Sequence, residues 1–359
     1  MTALSALSRT TVSARAAEDA SLPPLPWRRM AWVTWRQHRS ALTGAAALAV
    51  GVAVLLWIAG LRLHHAYAAA ISCHPAGSLA CGALINTFDG TEGFLSNGLV
   101  LQVVPALIGA FIGAPVLARE LENGTIRFAW TQGFGRLRWT LAKLAGLGTL
   151  VVVAAGALSI LMSWYYGPYF AGGNQALSFS EGGLVQASPF AVGLFDLRGV
   201  TFAAWTLVAF AIGGLAGTLI RRVVPAIVTT LAVYAGLAVL TGGRLRARYV
   251  TPLVTSNPNL TGSAWIVGQH WTNRAGRPVS QSVIDQVLLR GPASVAGKGP
   301  IPKASNTLQY LLQHGYTQVT SYQPASRFWP FQWIEGGWLL ALSALLIAVT
   351  VWLVRRRAV

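Results

Sequence analysis

Side chains able to do bond-making chemistry are few and badly spaced for it. Gly297-Lys298-Gly299 offers the lysine of a phosphate-binding loop, but lacks the upstream glycine at the required distance and the Ser or Thr that would ligate magnesium. The chain therefore carries no ATP site of that type. HExxH, a carboxylate pair within an apolar run and a Ser/His/Asp set are all missing, and ten acidic residues serve all 359. Cys73 and Cys81 stand eight positions apart in one short loop, unlike a CxxC or zinc-finger spacing. If that loop faces outward, a disulfide is expected, and a metal site shared with His64, His65 and His74 is the second reading. The stretch with most to offer is Arg119 to Lys143, RELENGTIRFAWTQGFGRLRWTLAK, polar and basic between two apolar runs. Its rings, carboxylates and arginines suit contact with a partner.

The elements that would position this stretch are membrane spans. The chain is 54% hydrophobic and only 10% charged, with a mean hydropathy of +0.53, whereas roughly a quarter of residues are charged in an average soluble domain. Its net charge of +17 does not indicate nucleic acid, because the basic residues gather at the ends of apolar runs and not on one polar face. A hydrocarbon crossing takes roughly 20 apolar residues in a helix. Six runs meet or approach that length: Ala41 to Leu61, Gly98 to Ala118, Leu144 to Tyr166, Val200 to Ile220, Val223 to Gly243 and Gly337 to Val354. None of them holds an Asp, Glu, Lys or Arg. An ion-coupled carrier usually keeps an ionisable group inside a span, so this composition points to energy supplied from outside the chain.

Basic residues in short flanking segments stay in the cytoplasm. Both termini inside is the arrangement that places Arg28, Arg29, Arg36 and Arg39, the 119–143 stretch, Arg221 with Arg222, and Arg355 to Arg357 all on that side. The expected fold is an all-α polytopic membrane protein with six transmembrane helices and cytoplasmic N and C termini. A small mixed α/β extracytoplasmic segment lies between helices 5 and 6. Residues 1–26, small, polar and proline-bearing, are expected as a disordered cytoplasmic tail, and 27–40, rich in Trp and Arg, as an interfacial elbow helix. Helices 1 to 5 occupy 41–243 with the cytoplasmic loop 119–143, the extracytoplasmic segment runs over 244–335, and helix 6 with a basic tail fills 336–359. Within 244–335 we expect a strand over Ala264 to Trp271 leading into a turn at Asn273 to Gly276, and a short helix capped by Ser282 and Asp285. A second helix over Ser305 to His314 and a strand over Tyr316 to Tyr322 follow. Pro105, Pro115 and Pro225 are expected to kink their helices. The GxxxG pairs Gly109/Gly113 and Gly213/Gly217 permit close helix contact, either within the chain or at a dimer seam.

Residue physics leaves two readings of 119–143. Asn123-Gly124 ends the helix of the second span, and Thr125 to Gln132 forms a short helix on the inner face. There Phe128 and Trp130 fill a partner's groove while Glu120, Glu122 and Arg127 fix register. The alternative is a basic loop whose tryptophans dip into lipid headgroups. The run Glu120-Leu-Glu122-Asn-Gly124-Thr125-Ile-Arg127, continuing to Trp130-Thr131-Gln132 and closing on Lys143, resembles the E-x-E-x-G-T…K signature after span two of ABC-2-type transporter permeases. The Trp-Thr-Gln version is similar to actinobacterial members. The resemblance implies a permease subunit of an ATP-driven exporter in the plasma membrane, with 119–143 as the coupling element and no ATPase site of its own. It also implies an ABC ATP-binding subunit as partner, a second permease copy in a homodimer or heterodimer, surrounding membrane lipid and no nucleic acid. This chain would bind no cofactor, ATP and Mg sitting on the partner. A non-transporting membrane sensor or immunity protein with an outer ligand-binding segment is the alternative function.

Overall fold

In hydrocarbon the backbone has no water to bond, so each apolar run satisfies its own N–H and C=O groups as a helix. The computed structural model describes residues 27–75, 78–89, 99–123, 136–172, 188–190, 193–256, 264–291 and 304–357. The tail expected over 1–26 lies outside these. Six helical segments are long and apolar enough to cross a membrane: Ala49–Ser72, Leu101–Glu122, Trp139–Tyr165, Gly199–Ile220, Val223–Arg248 and Ala325–Arg356.

The first helix, α1 (Trp27–Ser72), is 46 residues long, about 69 Å at ~1.5 Å per residue. No break separates an elbow over 27–40 from the span, because residues 39–44 hold no proline and only one glycine. The apolar window correspondingly sits later than the expected Ala41 to Leu61, and Arg62, His64 and His65 belong to the helix. Gly60 receives the ring of Trp164 from the third span, and that ring stacks on Trp57 and His64, each at 4.7 Å. A disulfide joins Cys73, just past α1, to Cys81 in a short helix, α2 (Leu79–Asp89).

The second span is α3 (Leu99–Ile108), a π-helical turn (Gly109–Gly113) and α4 (Ala114–Glu122). Pro115 has no N–H to bond backward, and the π turn, closed by the Ala114 N–H on the Gly109 carbonyl, takes up the register just before it. The third span is α5 (Arg136–Tyr165), followed by α6 (Gly167–Gly172). Next come α7 (Gly199–Ile220) and α8 (Val223–Leu240), with α8 continued by a π turn and a short 3-10 turn to Arg248. Pro225 does not kink α8. It sits in the first turn, where its missing N–H leaves no bond unmade.

Helix α7 is the axis, packed against α3, α4, α5, α8 and the last helix, α11 (Phe328–Arg357). Small residues let it be central. A side chain at Gly109 would meet the Ala209 carbonyl oxygen at 2.5 Å and one at Gly113 the Phe210 oxygen at 2.6 Å, while Gly213 and Gly217 press on the Gly109 and Ala114 carbonyls. The two GxxxG pairs thus face each other inside one chain, so they are spent on packing the second and fourth spans together. Buried hydroxyls bond to their own helix: Thr206 to the Phe202 carbonyl (2.6 Å), Thr218 to Gly214 (2.8 Å) and Thr230 to Ala226 (2.7 Å).

Between α8 and α11 the chain forms an antiparallel sheet of β1 (Leu253–Thr255), β2 (Trp265–Thr272), β3 (Pro278–Val279) and β4 (Thr317–Gln323), in the order β1-β4-β2-β3. A bulge at Ile266/Gly268 bends β2. Gly276, at φ 71, turns the chain from β2 into β3. Helix α9 (Gln281–Leu289) lies against β2, and α10 (Ala304–Gln313) packs on α9. Ser280, not Ser282, is the cap residue of α9, and Asp285 accepts from Gln281 (3.0 Å) instead of closing a capping box. Phe190, Phe195, Phe328 and Phe331, packed against Tyr249 and Trp265, weld the sheet to the bundle.

Candidate functional site

Two groups of ionisable side chains lie at opposite ends of α7, and both sit within or against the spans. At its C-terminal end, α4 stops at Glu122, and the Asn123 N–H bonds to the Arg119 carbonyl at 3.1 Å. The Glu120 carboxylate ion-pairs with Lys143 and accepts the Trp139 indole N–H at 3.4 Å. The Lys143 ammonium also lies 5.1 Å from the centre of the Trp139 ring. Lys143 is 1% exposed, a burial an ammonium tolerates only with a partner. Glu122 accepts the Val223 N–H at 3.0 Å, placing a carboxylate at the positive N-terminus of α8. Three spans are thus tied at the base of the 119–143 stretch. Of the residues expected to meet a partner, Glu120 and Lys143 come together here, Glu122 turns to the start of α8, and the two acids are engaged by the chain itself. Gly124, Thr125, Arg127, Phe128, Trp130, Thr131 and Gln132 lie outside the described residues.

The second group stands at the other end. Glu335, on the first turns of α11, is wholly buried and takes both Arg246 Nε (2.9 Å) and Nη2 (2.7 Å), while the Trp205 indole N–H donates to it at 3.0 Å. Arg246 also pairs with Asp196, whose other oxygen accepts from Gln102 at 3.3 Å. Burial pushes the Asp196 carboxyl up to about 6, against the pull of Arg246 in the other direction. Arg198 turns to the rings of Phe170 (4.0 Å) and Phe328 (5.1 Å). Nearby Gln332, also fully buried, donates to the Phe195 carbonyl (2.9 Å) and accepts from the Thr201 N–H (3.1 Å), satisfying the first turn of α7. A cavity of about 180 Å³ opens beside Asp196, walled mainly by Phe190, Phe202, Trp205, Tyr234 and Trp265.

This second group overturns the expectation that the spans are free of charge. The expected spans ended at Gly243 and restarted at Gly337, whereas the helices run on to Arg248 and back to Phe328. The aromatic run Arg327 to Trp333 divides: Trp329 and Trp333 are exposed, but Phe328 and Phe331 are core. A lone acid amid Trp-Ile-Glu-Gly-Gly-Trp, in a chain so poor in acids, was the available signal. Among the described residues no group of His, Cys, Asp and Glu is placed to hold a metal.

No curated protein and no solved structure matches the chain. The sequence model of the family described as "ABC-2 membrane transporter related" matches residues 45–246. That match takes in the first four spans, the 119–143 stretch and the fifth span as far as Arg246. With six apolar helices it makes the chain a multi-pass membrane protein and a transport subunit of ABC-2 type, and the chain belongs to the ABC-2 membrane transporter related family.

Proposed function

We propose that the chain is the permease subunit of an ATP-driven exporter in the cell membrane, and that a separate ABC ATP-binding subunit docks on the 119–143 loop. ATP and magnesium stay on that partner, and the family implies a second permease copy. The observation that carries this reading is the tie at the loop's base. Glu120 is bonded to Lys143 and Trp139, and Glu122 to the start of α8. A push on the loop from a partner therefore reaches the second, third and fifth spans together, which is what a coupling element requires. The Cys73–Cys81 disulfide supports the orientation. Disulfides persist in oxidising compartments, and by alternation of the spans this one lies at the end that bears the sheet, opposite the 119–143 loop.

Docking is tested with Glu122→Arg and with the Phe128→Ala/Trp130→Ala pair. Both are expected to insert normally, since a reversed charge at the start of a helix costs only about 0.3–1 kcal/mol. Both should lose co-purifying ATP-binding subunit and the ATP hydrolysis that substrate stimulates. Unchanged values for both variants would refute the docking role.

A further inference from the structure

The group at the sheet end carries an unbalanced charge. Glu335 engages Arg246 through two hydrogen bonds and is itself sealed from solvent, so this pair is neutral, with the guanidinium on the cavity wall and the carboxylate behind it. Asp196 is the carboxylate left over. Its side chain keeps 23% exposure against 5% for Arg246, and it lines the cavity while Glu335 does not. Its remaining polar partner there, Gln102, is uncharged, and Arg198 is turned away onto two rings. An excess negative charge in a low-dielectric pocket calls for a cation or a proton. The pocket's other walls decide between them. Phe190 stacks on Trp265 (5.5 Å) and Trp205 meets Tyr234 edge-on (5.4 Å), which puts aromatic surface on more than one side of the space. Aromatic walls with one carboxylate recognise alkylated ammonium groups, whose charge is spread and weakly hydrated. A small metal ion would want several oxygen ligands instead.

We propose that this cavity binds a monovalent organic cation of the alkylammonium class. Asp196 serves as its counter-ion, and the rings of Trp205, Tyr234 and Trp265 serve as its π surfaces. At about 180 Å³ the space is smaller than the roughly 300–1,000 Å³ that encloses a drug-sized ligand, and it suits a head group or a compact amine. The cavity abuts α3 and α8, which belong to two of the spans tied at the loop base, as well as α7, so the cation is a substrate or part of one. That last step rests on the permease reading above; the binding itself does not.

Binding is measured on the purified full chain, without any ATP-binding subunit, using radiolabelled choline as the probe and its uncharged isostere 3,3-dimethylbutanol as competitor. Choline is expected to bind saturably at pH 7.5 and to be displaced by tetramethylammonium but not by dimethylbutanol. Asp196→Asn should weaken it about tenfold or more, with Arg246 still neutralised by Glu335. Trp265→Leu should weaken it several-fold and Trp265→Phe should restore it, a comparison that stands even if the Asp196 variant fails to fold. The ionisable groups facing Asp196 are Arg246, Glu335 and Tyr234. Burial raises the Asp196 carboxyl, so binding should fall as pH drops through about 6 and Asp196 takes up a proton. No saturable choline binding, equal competition by dimethylbutanol, or undiminished binding by both Asp196→Asn and Trp265→Leu would overturn the proposal. Binding of acetate in place of choline would do so too, since it would make Arg246 the ligand. ATPase coupling retained in the loop variants, with choline binding intact, would instead count against the docking role alone.

Discussion

Glu335→Ala is expected to cost the folded chain about 3–5 kcal/mol, the usual penalty for leaving one member of a buried ion pair alone. Glu335 is wholly buried, takes two hydrogen bonds from Arg246 and a third from Trp205. Without it the guanidinium retains only Asp196, and the Trp205 N–H is left without an acceptor in the core. The triple substitution Glu335→Leu, Arg246→Met and Asp196→Asn removes the three charges together and should regain most of the loss, because a buried ion-pair group contributes little beyond its uncharged replacement. Thermal unfolding of the purified protein, followed by size-exclusion, reads both effects. Equal stability of Glu335→Ala and the wild type would mean that the pair does not hold α8 and α11 together.

Glu120→Ala should be nearly as damaging, and more so than Lys143→Met. The two partners differ in exposure: the Lys143 side chain is 1% exposed and that of Glu120 15%. Removing the acid strands a buried ammonium beside Trp139, whereas removing the lysine leaves a carboxylate that can still reach water. We expect a loss of about 3–5 kcal/mol for Glu120→Ala and roughly half that for Lys143→Met. The same unfolding measurement ranks them, and the reverse order would contradict the burial argument.

Much of the bundle was legible because its cause is local. A run of apolar residues in lipid has few options but a helix, so six spans emerge from composition, with shifts of several residues at their ends. Those ends are where legibility failed. Glu335 and Arg246 looked like the margins of a loop, since hydropathy marks a polar residue as outside whether or not a distant partner neutralises it. The charge pair that brings them into the helices joins residues far apart in sequence, and nothing in either neighbourhood announces the other. The GxxxG pairs were visible as motifs, but whether they faced a second chain or each other depended on which spans become neighbours. The elbow failed for a different reason: Trp and Arg over 27–39 describe a preference for the headgroup layer, and preference does not interrupt a helix that lacks a breaker. At the candidate site, Glu120 and Lys143 were singled out through the E-x-E-x-G-T…K resemblance, while Asp196 and its aromatic cavity left no pattern in sequence order.

The two ends of α7 must face different compartments for any of this to work, with the 119–143 loop on the side that holds ATP and the sheet on the other. The chain's two native cysteines are bonded to each other, so a single introduced thiol reports without background. Ser305→Cys, on α10 between α9 and β4 in the chain, should react with a membrane-impermeant maleimide in intact cells, and Thr131→Cys should react only after the cells are opened. Labelling of Thr131→Cys in intact cells, with Ser305→Cys protected, would invert the orientation and remove the loop from reach of an ATP-binding partner.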